Sequence, residues 1–199
     1  MADSSPARTL MLGIAVCSYM TLTEADADPS RILDHEGFPG RWEIIETADE
    51  TGGKRFKTRI ELDERGRLPP HLHPTAEESY QIIAGELEIQ VDGEWSTVEA
   101  GEEVVVPPDT EHAFENTGPA EVINVHRPAM QFEEFFRGFQ RLKTERGVPM
   151  PPDDIESSIL LAMLVVEHED EQRVVHPPHW VFEILARLGD LLGYRPPTE

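Results

Sequence analysis

Three scarcities frame this sequence. Cysteine occurs once, at Cys17, so no disulfide can close within the chain and no Cys-x-x-Cys pair exists. Basic residues are few. Seventeen Lys and Arg against 39 Asp and Glu give a formal charge of −22, and the only lysines are Lys54, Lys57 and Lys143. A surface of that sign repels phosphate backbones and anionic lipid, which argues against nucleic acid and membrane surfaces as partners. It would also suit high ionic strength, where screening removes self-repulsion. Long apolar runs are missing too. The mostly apolar stretch 10–22 is too short and too interrupted to cross a bilayer. Residues 8–27 loosely resemble a secretory signal, but Asp3 sits where that signal is basic, and Val16 ahead of Cys17 is not the small residue of a lipoprotein site. Residues 1–22 are read as a loosely ordered N-terminal arm or an over-long start, with Met20 as the alternative initiator, and the protein as cytoplasmic; secretion is the competing reading. There is no phosphate-cradling glycine loop ahead of a helix and no nucleophile elbow.

What is present is enough chain, 199 residues, for one full core or for one domain with an appendage. Residues 23–40, rich in Asp, Glu, Pro and Gly, read as an irregular lead-in. Residues 41–47 look like a first strand, 48–53 like a polar turn in which Gly52-Gly53 signals a hairpin, and 55–62 like the next strand. Pro69-Pro70 carry an extended chain into His71. Further strands are expected at 78–84, 86–91, 95–98, 103–106, 111–116 and 120–127, with Asp92-Gly93 as a tight hairpin. Short strands at this density indicate an all-β sandwich or barrel.

After Pro128 the period changes. Phe132, Phe135, Phe136, Phe139 and Leu142 fall on one face of a helix that ends at Gly147. Asp153 or Asp154 caps a second helix through Ile155, Ile159, Leu160, Met163 and Leu164, with residues 167–171 as a solvated acidic tail. Pro177-Pro178 open a third, which carries Trp180, Val181, Ile184, Leu188, Leu191 and Leu192 and stops near Gly193. The phenylalanine stripe is expected to pack on the barrel; an apolar substrate entrance and a contact with a second copy are the other readings.

Chemistry-bearing residues gather between 66 and 116. In a strand, residues two apart share a face, so His71 and His73 can grip one metal ion if further ligands meet them. Glu78 follows five residues on, at the start of the strand after it, with Glu77 as the competing carboxylate. His112 comes after the apolar run that begins at Gly101 and ends at Pro107. By alternation Tyr80 and Ile82 share the face of Glu78, and Phe114 shares that of His112; these three form the candidate inward wall against a substrate. Asn124 and His126 are read as outward, because Ile123 and Val125 would then fill the interior. His35, His168, His176 and His179 are read as surface or capping residues.

His71, His73, Glu78 and Gly85 resemble the first motif of the cupin superfamily, G(X)5HXH(X)3–4E(X)6G, with Gly66 one residue too close to the first histidine. Gly101, Pro107, His112 and Asn116 resemble the second, G(X)5PXG(X)2H(X)3N. Asp109 stands where that pattern has glycine. Aspartate tolerates left-handed backbone better than most residues, so the turn is expected to survive. The six-residue gap to Gly85, together with strand alternation, favours Glu78 over Glu77. The resemblance implies an all-β cupin jelly-roll barrel (a double-stranded β-helix) over residues 23–129, with a C-terminal α-helical extension over 130–199 packing on the barrel or on a partner. It implies that His71, His73, Glu78 and His112 hold one divalent transition metal, Fe, Mn, Ni, Co or Zn, with two of six positions left open. It further implies an enzyme similar to the small quercetinase-like dioxygenases, acting on a metal-chelating enol, diol or phenol, with Glu78 doubling as a general base. A non-catalytic module holding a small ligand and a structural metal is the alternative. The expected partners are that small molecule and a second copy of the chain, since cupins commonly pair through their sheets.

Overall fold

The computed structural model describes residues 28–34, 40–63 and 66–196. The readings of residues 1–22 as an arm, of the signal-like stretch 8–27 and of His35 lie outside the described residues.

Two antiparallel sheets make up the β part. One has the order β1 (Ile32–Asp34), β2 (Arg41–Glu46), β3 (Phe56–Leu62), β10 (Ala120–Arg127), β5 (Glu77–Ala84) and β8 (Glu103–Val106). The other runs β11 (Arg173–Val174), β4 (Arg67–Leu72), β9 (His112–Glu115), β6 (Glu86–Val91) and β7 (Glu94–Glu99). Alternation sends Ile60, Ile82, Val106 and Val122 from the first sheet and Leu68, Leu87, Ile89 and Phe114 from the second into one core. The result is a jelly roll of two sheets around one core.

Turn chemistry holds the strands in register. Asp92 (φ 52°) and Gly93 (φ 84°) are both left-handed, the two-residue hairpin geometry whose twist matches its flanking strands. Gly85 (φ 75°) ends β5 where any side chain would strike the carbonyl of Pro119, so only glycine fits. Asp109 adopts φ 56°, the left-handed conformation foreseen for the residue that replaces the motif glycine. The reversal at 48–53 does occur, but as one helical turn, α1 (Ala48–Thr51), rather than as a simple turn. Thr47 and Glu50 satisfy each other's main-chain N–H groups there as a capping box. Strands β1 and β11 were not foreseen; with three and two residues they are too short to show a periodicity.

Helix α2 (Phe132–Arg146) lays its phenylalanine stripe against the barrel. Phe136 lies 4.7 Å from Trp42 and 5.7 Å from Phe56, ring centre to ring centre. Phe132, Phe135, Phe136, Phe139 and Leu142 are all buried, each contributing about 1.5–3 kcal/mol of apolar transfer. Helix α3 (Ile155–Glu167) starts at Asp154, whose side chain accepts from the Ser157 N–H at 2.7 Å, as its sequence predicts. The acidic run after it is not a solvated tail throughout, because Glu171 turns inward and is buried. Helix α4 (His179–Leu192) meets α3 through Ala186 and Gly189, where a side chain on Gly189 would collide with Met163 and Ile159. Its large apolar residues Trp180, Ile184, Leu191 and Leu192 are left exposed. Among the described residues no helix is long and apolar enough to cross a membrane.

Candidate metal centre

The centre is assembled from both sheets. Pro69-Pro70 keep β4 extended up to the two histidines, and His71 pairs directly across from His112 on β9. Glu78 comes from the second position of β5, in the opposite sheet. The connecting loops are tied to one another. Asn116 accepts from the Gly66 N–H at 2.6 Å and donates to the carbonyls of Asp63 and Gly118 at 2.9 and 2.8 Å. The Asp109 N–H donates to the carbonyl of His73 at 2.8 Å. Ligand atoms of His71, His73, Glu78 and His112 all come within 4.8 Å of one another, and the four residues are buried.

Main-chain carbonyls orient the three rings. His71 Nδ1 lies 2.9 Å from the carbonyl oxygen of Pro69, His73 Nδ1 2.7 Å from that of Glu171, and His112 Nδ1 2.9 Å from that of Thr110. A carbonyl only accepts, so Nδ1 is the protonated nitrogen in each ring and Nε2 is left for a cation. Glu78 divides its oxygens. Oε2 lies 2.9 Å from His73 Nε2 and 2.6 Å from His112 Nε2. Oε1 accepts from Asn124 Nδ2 at 2.7 Å and lies 3.2 Å from His126 Nε2. Imidazole nitrogens converging on a carboxylate oxygen, with their other nitrogens already donating, call for positive charge between them. Three nitrogens and one carboxylate oxygen form a borderline-hard set suited to a divalent transition metal.

The electrostatics of His71 and Glu78 agree with this. Burial, reinforced by the charges of His112 and His73, pushes His71 well below the ordinary imidazole range, which keeps it neutral as a ligand must be. For Glu78 burial opposes ionisation, but His126, His73 and His112 outweigh it and hold the carboxyl well below its usual range. Burial also opposes charge on His112, and the hydrogen bond and charge of Glu78 overcome it, so that imidazole is raised. Burial pushes the Tyr80 phenol well above its ordinary range, and the Glu78 carboxylate adds to the effect.

The four residues named as ligands from the sequence are thus brought together. The competing Glu77 is half-exposed and faces Arg127 at 3.7 Å instead. Tyr80, Ile82 and Phe114 do point inward, with the Tyr80 ring 6.4 Å from His112 and 5.8 Å from Phe114; Ile82 is core. Asn124 and His126 correct the sequence reading: they face the centre. Their strand β10 pairs with β5 so that His126 stands opposite Glu78 and Asn124 opposite Tyr80, and directly opposed residues project to the same side. Ile123 and Val125 are buried as well, so apolar alternation carried no signal for choosing the inward face. His126 stacks on Phe132 at 3.9 Å, which links α2 to the centre. Glu171 was missed because it acts on His73 through its main-chain carbonyl, which no side-chain pattern reports. His168 does cap α3, though from a buried position beside Phe135, while His179 pairs with Glu169 at 3.1 Å and His176 is exposed.

Fold and centre together define a class: a double-stranded β-helix with a buried three-histidine, one-carboxylate group able to hold a metal ion. Residues 58–126 match the Cupin domain family. Two relatives share a shorter stretch. A Streptomyces cyaneus protein named Polyketide synthase CurC is 36% identical over 55 residues, 28% of this chain and 36% of that protein. Protein SchB of Streptomyces halstedii is 34% identical over 55 residues, 28% of this chain and 40% of that protein. The chain therefore matches well under half the length of either. Among solved structures, an RmlC-like cupin from Shewanella frigidimarina is similar at 19% identity and a TM-score of 0.48, over 55% of this chain and 91% of that one. A predicted oxalate decarboxylase from Thermotoga maritima reaches 24% identity and a TM-score of 0.45, over 52% of this chain and 95% of that one.

Proposed function

We propose that this chain is a metal-dependent enzyme acting on a small organic molecule that chelates the metal, most simply as a dioxygenase of enols, diols or phenols. The observation that carries the reading is the convergence of His71, His73, Glu78 and His112, with each imidazole oriented by a carbonyl so that Nε2 faces inward. A divalent Fe, Mn, Ni, Co or Zn ion bound there supplies a Lewis acid with positions to spare for an oxygen-bearing substrate. The chain's own residues do the rest. Glu78 Oε1 stays anchored by Asn124 and His126, so Oε2 is at once the ligand atom and the oxygen left to take a proton. Tyr80 and Phe114 form the inward wall, and Phe132 over His126 excludes water. One relative is named a polyketide synthase; polyketide chains carry 1,3-dicarbonyl units whose enolates chelate divalent ions, which supports the substrate class. The same reading includes a homodimer, supported by the apolar side chains α4 leaves exposed. Sedimentation that finds only monomer at micromolar concentration removes that part.

A second reading has an observation in its favour. The four ligands are only 1–3% exposed, so a substrate needs an opening that a purely structural metal does not. Elemental analysis combined with oxygen uptake against a panel of chelating enols separates the two. The enzyme reading expects one equivalent of metal and turnover, both lost in His73→Ala. Stoichiometric metal with no turnover across the panel moves the conclusion to the binding module. Absence of stoichiometric metal in protein purified without chelator, and after incubation with each divalent ion, overturns both.

A further inference from the structure

A second set of metal-ligating side chains lies outside the barrel, where α4 begins. His179 and Glu183 stand one turn apart on α4, so both project from one face of the helix. Glu169 reaches them from the turn that follows α3. Ligand atoms of the three residues come within 4.8 Å of one another, and none of the three belongs to the first centre.

The ring of His179 lacks a partner that it needs. Nε2 lies 3.1 Å from Glu169 Oε2, while Nδ1 is buried and has no hydrogen-bond partner among the described residues. With its proton on Nε2, the ring donates to Glu169 and keeps a buried lone pair at Nδ1 that nothing takes. With the proton on Nδ1, that N–H is buried without an acceptor, and the Nε2 lone pair faces a carboxylate that cannot donate. A doubly protonated ring still buries an unpaired N–H, which is costly. In both neutral tautomers a lone pair is left over, and a cation is the partner that accepts it. The carboxylates point the same way. Glu169 and Glu183 bring two negative charges together in a molecule of charge −22. The Arg187 guanidinium meets Glu183 at 3.9 Å from a position 80% exposed, which offsets little of that repulsion.

We propose that Glu169, His179 and Glu183 form a second metal site, which takes one divalent transition ion through one nitrogen and two carboxylate oxygens. The imidazole selects such an ion over calcium and magnesium, which favour oxygen throughout. Three protein ligands leave a position for water. Both carboxylates are about half-exposed, so the ion is held less tightly than at the first centre and is released on desalting. Bound there, it ties the start of α4 to the segment after α3, two residues from the Glu171 carbonyl that orients His73. The site shares no residue with the catalytic reading and stands or falls without it.

The test is equilibrium dialysis of the full chain, stripped with chelator, against micromolar zinc. About 0.5 M sodium chloride is included to screen diffuse attraction to the acidic surface. His179→Gln is expected to bind one equivalent fewer than the unaltered chain. Glu183→Gln weakens the same equivalent by about tenfold or more. His176→Gln, at an exposed histidine outside the set, leaves the count unchanged. The His179-dependent equivalent persists in His73→Ala, so a first centre that holds no metal does not count against this site. Circular dichroism confirms that each variant is folded, and if His179→Gln is not, Glu183→Gln decides. Equal counts in the unaltered chain and in His179→Gln overturn the proposal. So does release of that ion by millimolar calcium, which would show attraction by the carboxylates alone. Its loss in His176→Gln would place the zinc on exposed histidines and overturn the proposal as well.

Discussion

Glu78 is a carboxylate nearly removed from water yet held ionised, and its two oxygens explain how. A buried carboxylate without partners would take up a proton instead. Here Oε2 faces the imidazoles of His73 and His112, while Oε1 takes the amide of Asn124 and lies against His126. Asn124→Leu removes one donor from Oε1 and changes the side chain's shape little. It should cost about 1–3 kcal/mol, the penalty of leaving a buried acceptor short of a partner. Urea unfolding followed by circular dichroism measures this. An unchanged midpoint would show that Oε1 does not depend on β10. Asp109 makes the opposite point at the same scale. Its departure from the motif was visible in the sequence, and so was the reason it is tolerated, because φ 56° is a conformation aspartate adopts more readily than most residues.

Between elements, short polar contacts carry connections that the apolar stripes do not. The 3-10 turn Pro29–Arg31 is fastened to α1 through Arg31, which pairs with Glu50 and donates to the carbonyl of Ile45 at 3.1 Å. The Arg31 guanidinium, and after it the Thr47 N–H, lower the Glu50 carboxyl from 4.5 to about 2. A carboxyl depressed on folding stabilises the folded state above its unfolded value, and that contribution fades as pH falls from 4.5 towards about 2. NMR titration of the Glu50 side chain should therefore give a midpoint near 2, and Arg31→Ala should raise it towards the ordinary carboxylate range. A midpoint already near 4.5 in the unaltered chain would mean that the pair does not form in solution. The helices show where pattern reading holds at this scale. The stripe of α2 packs on Trp42 and Phe56 as its spacing predicts. The stripe of α4 does not settle its own packing, because Gly189 admits α3 on the other side.

Across the whole molecule the excess of acid dominates. An exposed Arg–Glu pair such as Arg67–Glu115, at 3.2 Å, contributes at most about 1 kcal/mol, and salt weakens it. Repulsion within a net charge of −22 acts over the whole surface and is screened by the same salt. Repulsion should win. Raising sodium chloride from about 0.01 M to about 1 M shortens the screening length roughly tenfold and should raise the thermal unfolding midpoint. Scanning fluorimetry reads this directly, and a midpoint that falls with salt would show the ion pairs outweighing the repulsion.

The amino-acid sequence by itself determined the strands from β2 to β10, the turns at Asp92-Gly93 and Asp109, and the identity of His71, His73, Glu78 and His112. Each of these is local: a spacing along one strand, a residue type suited to one backbone conformation, or a fixed gap to a glycine. Only the tertiary structure decided that Asn124 and His126 face Glu78, that the carbonyl of Glu171 orients His73, and that α4 turns its large apolar side chains outward. The physical reason is shared. A strand buried on both faces shows no polar alternation, a main-chain carbonyl is the same in every residue, and a helix apolar on two sides takes its orientation from what packs against it.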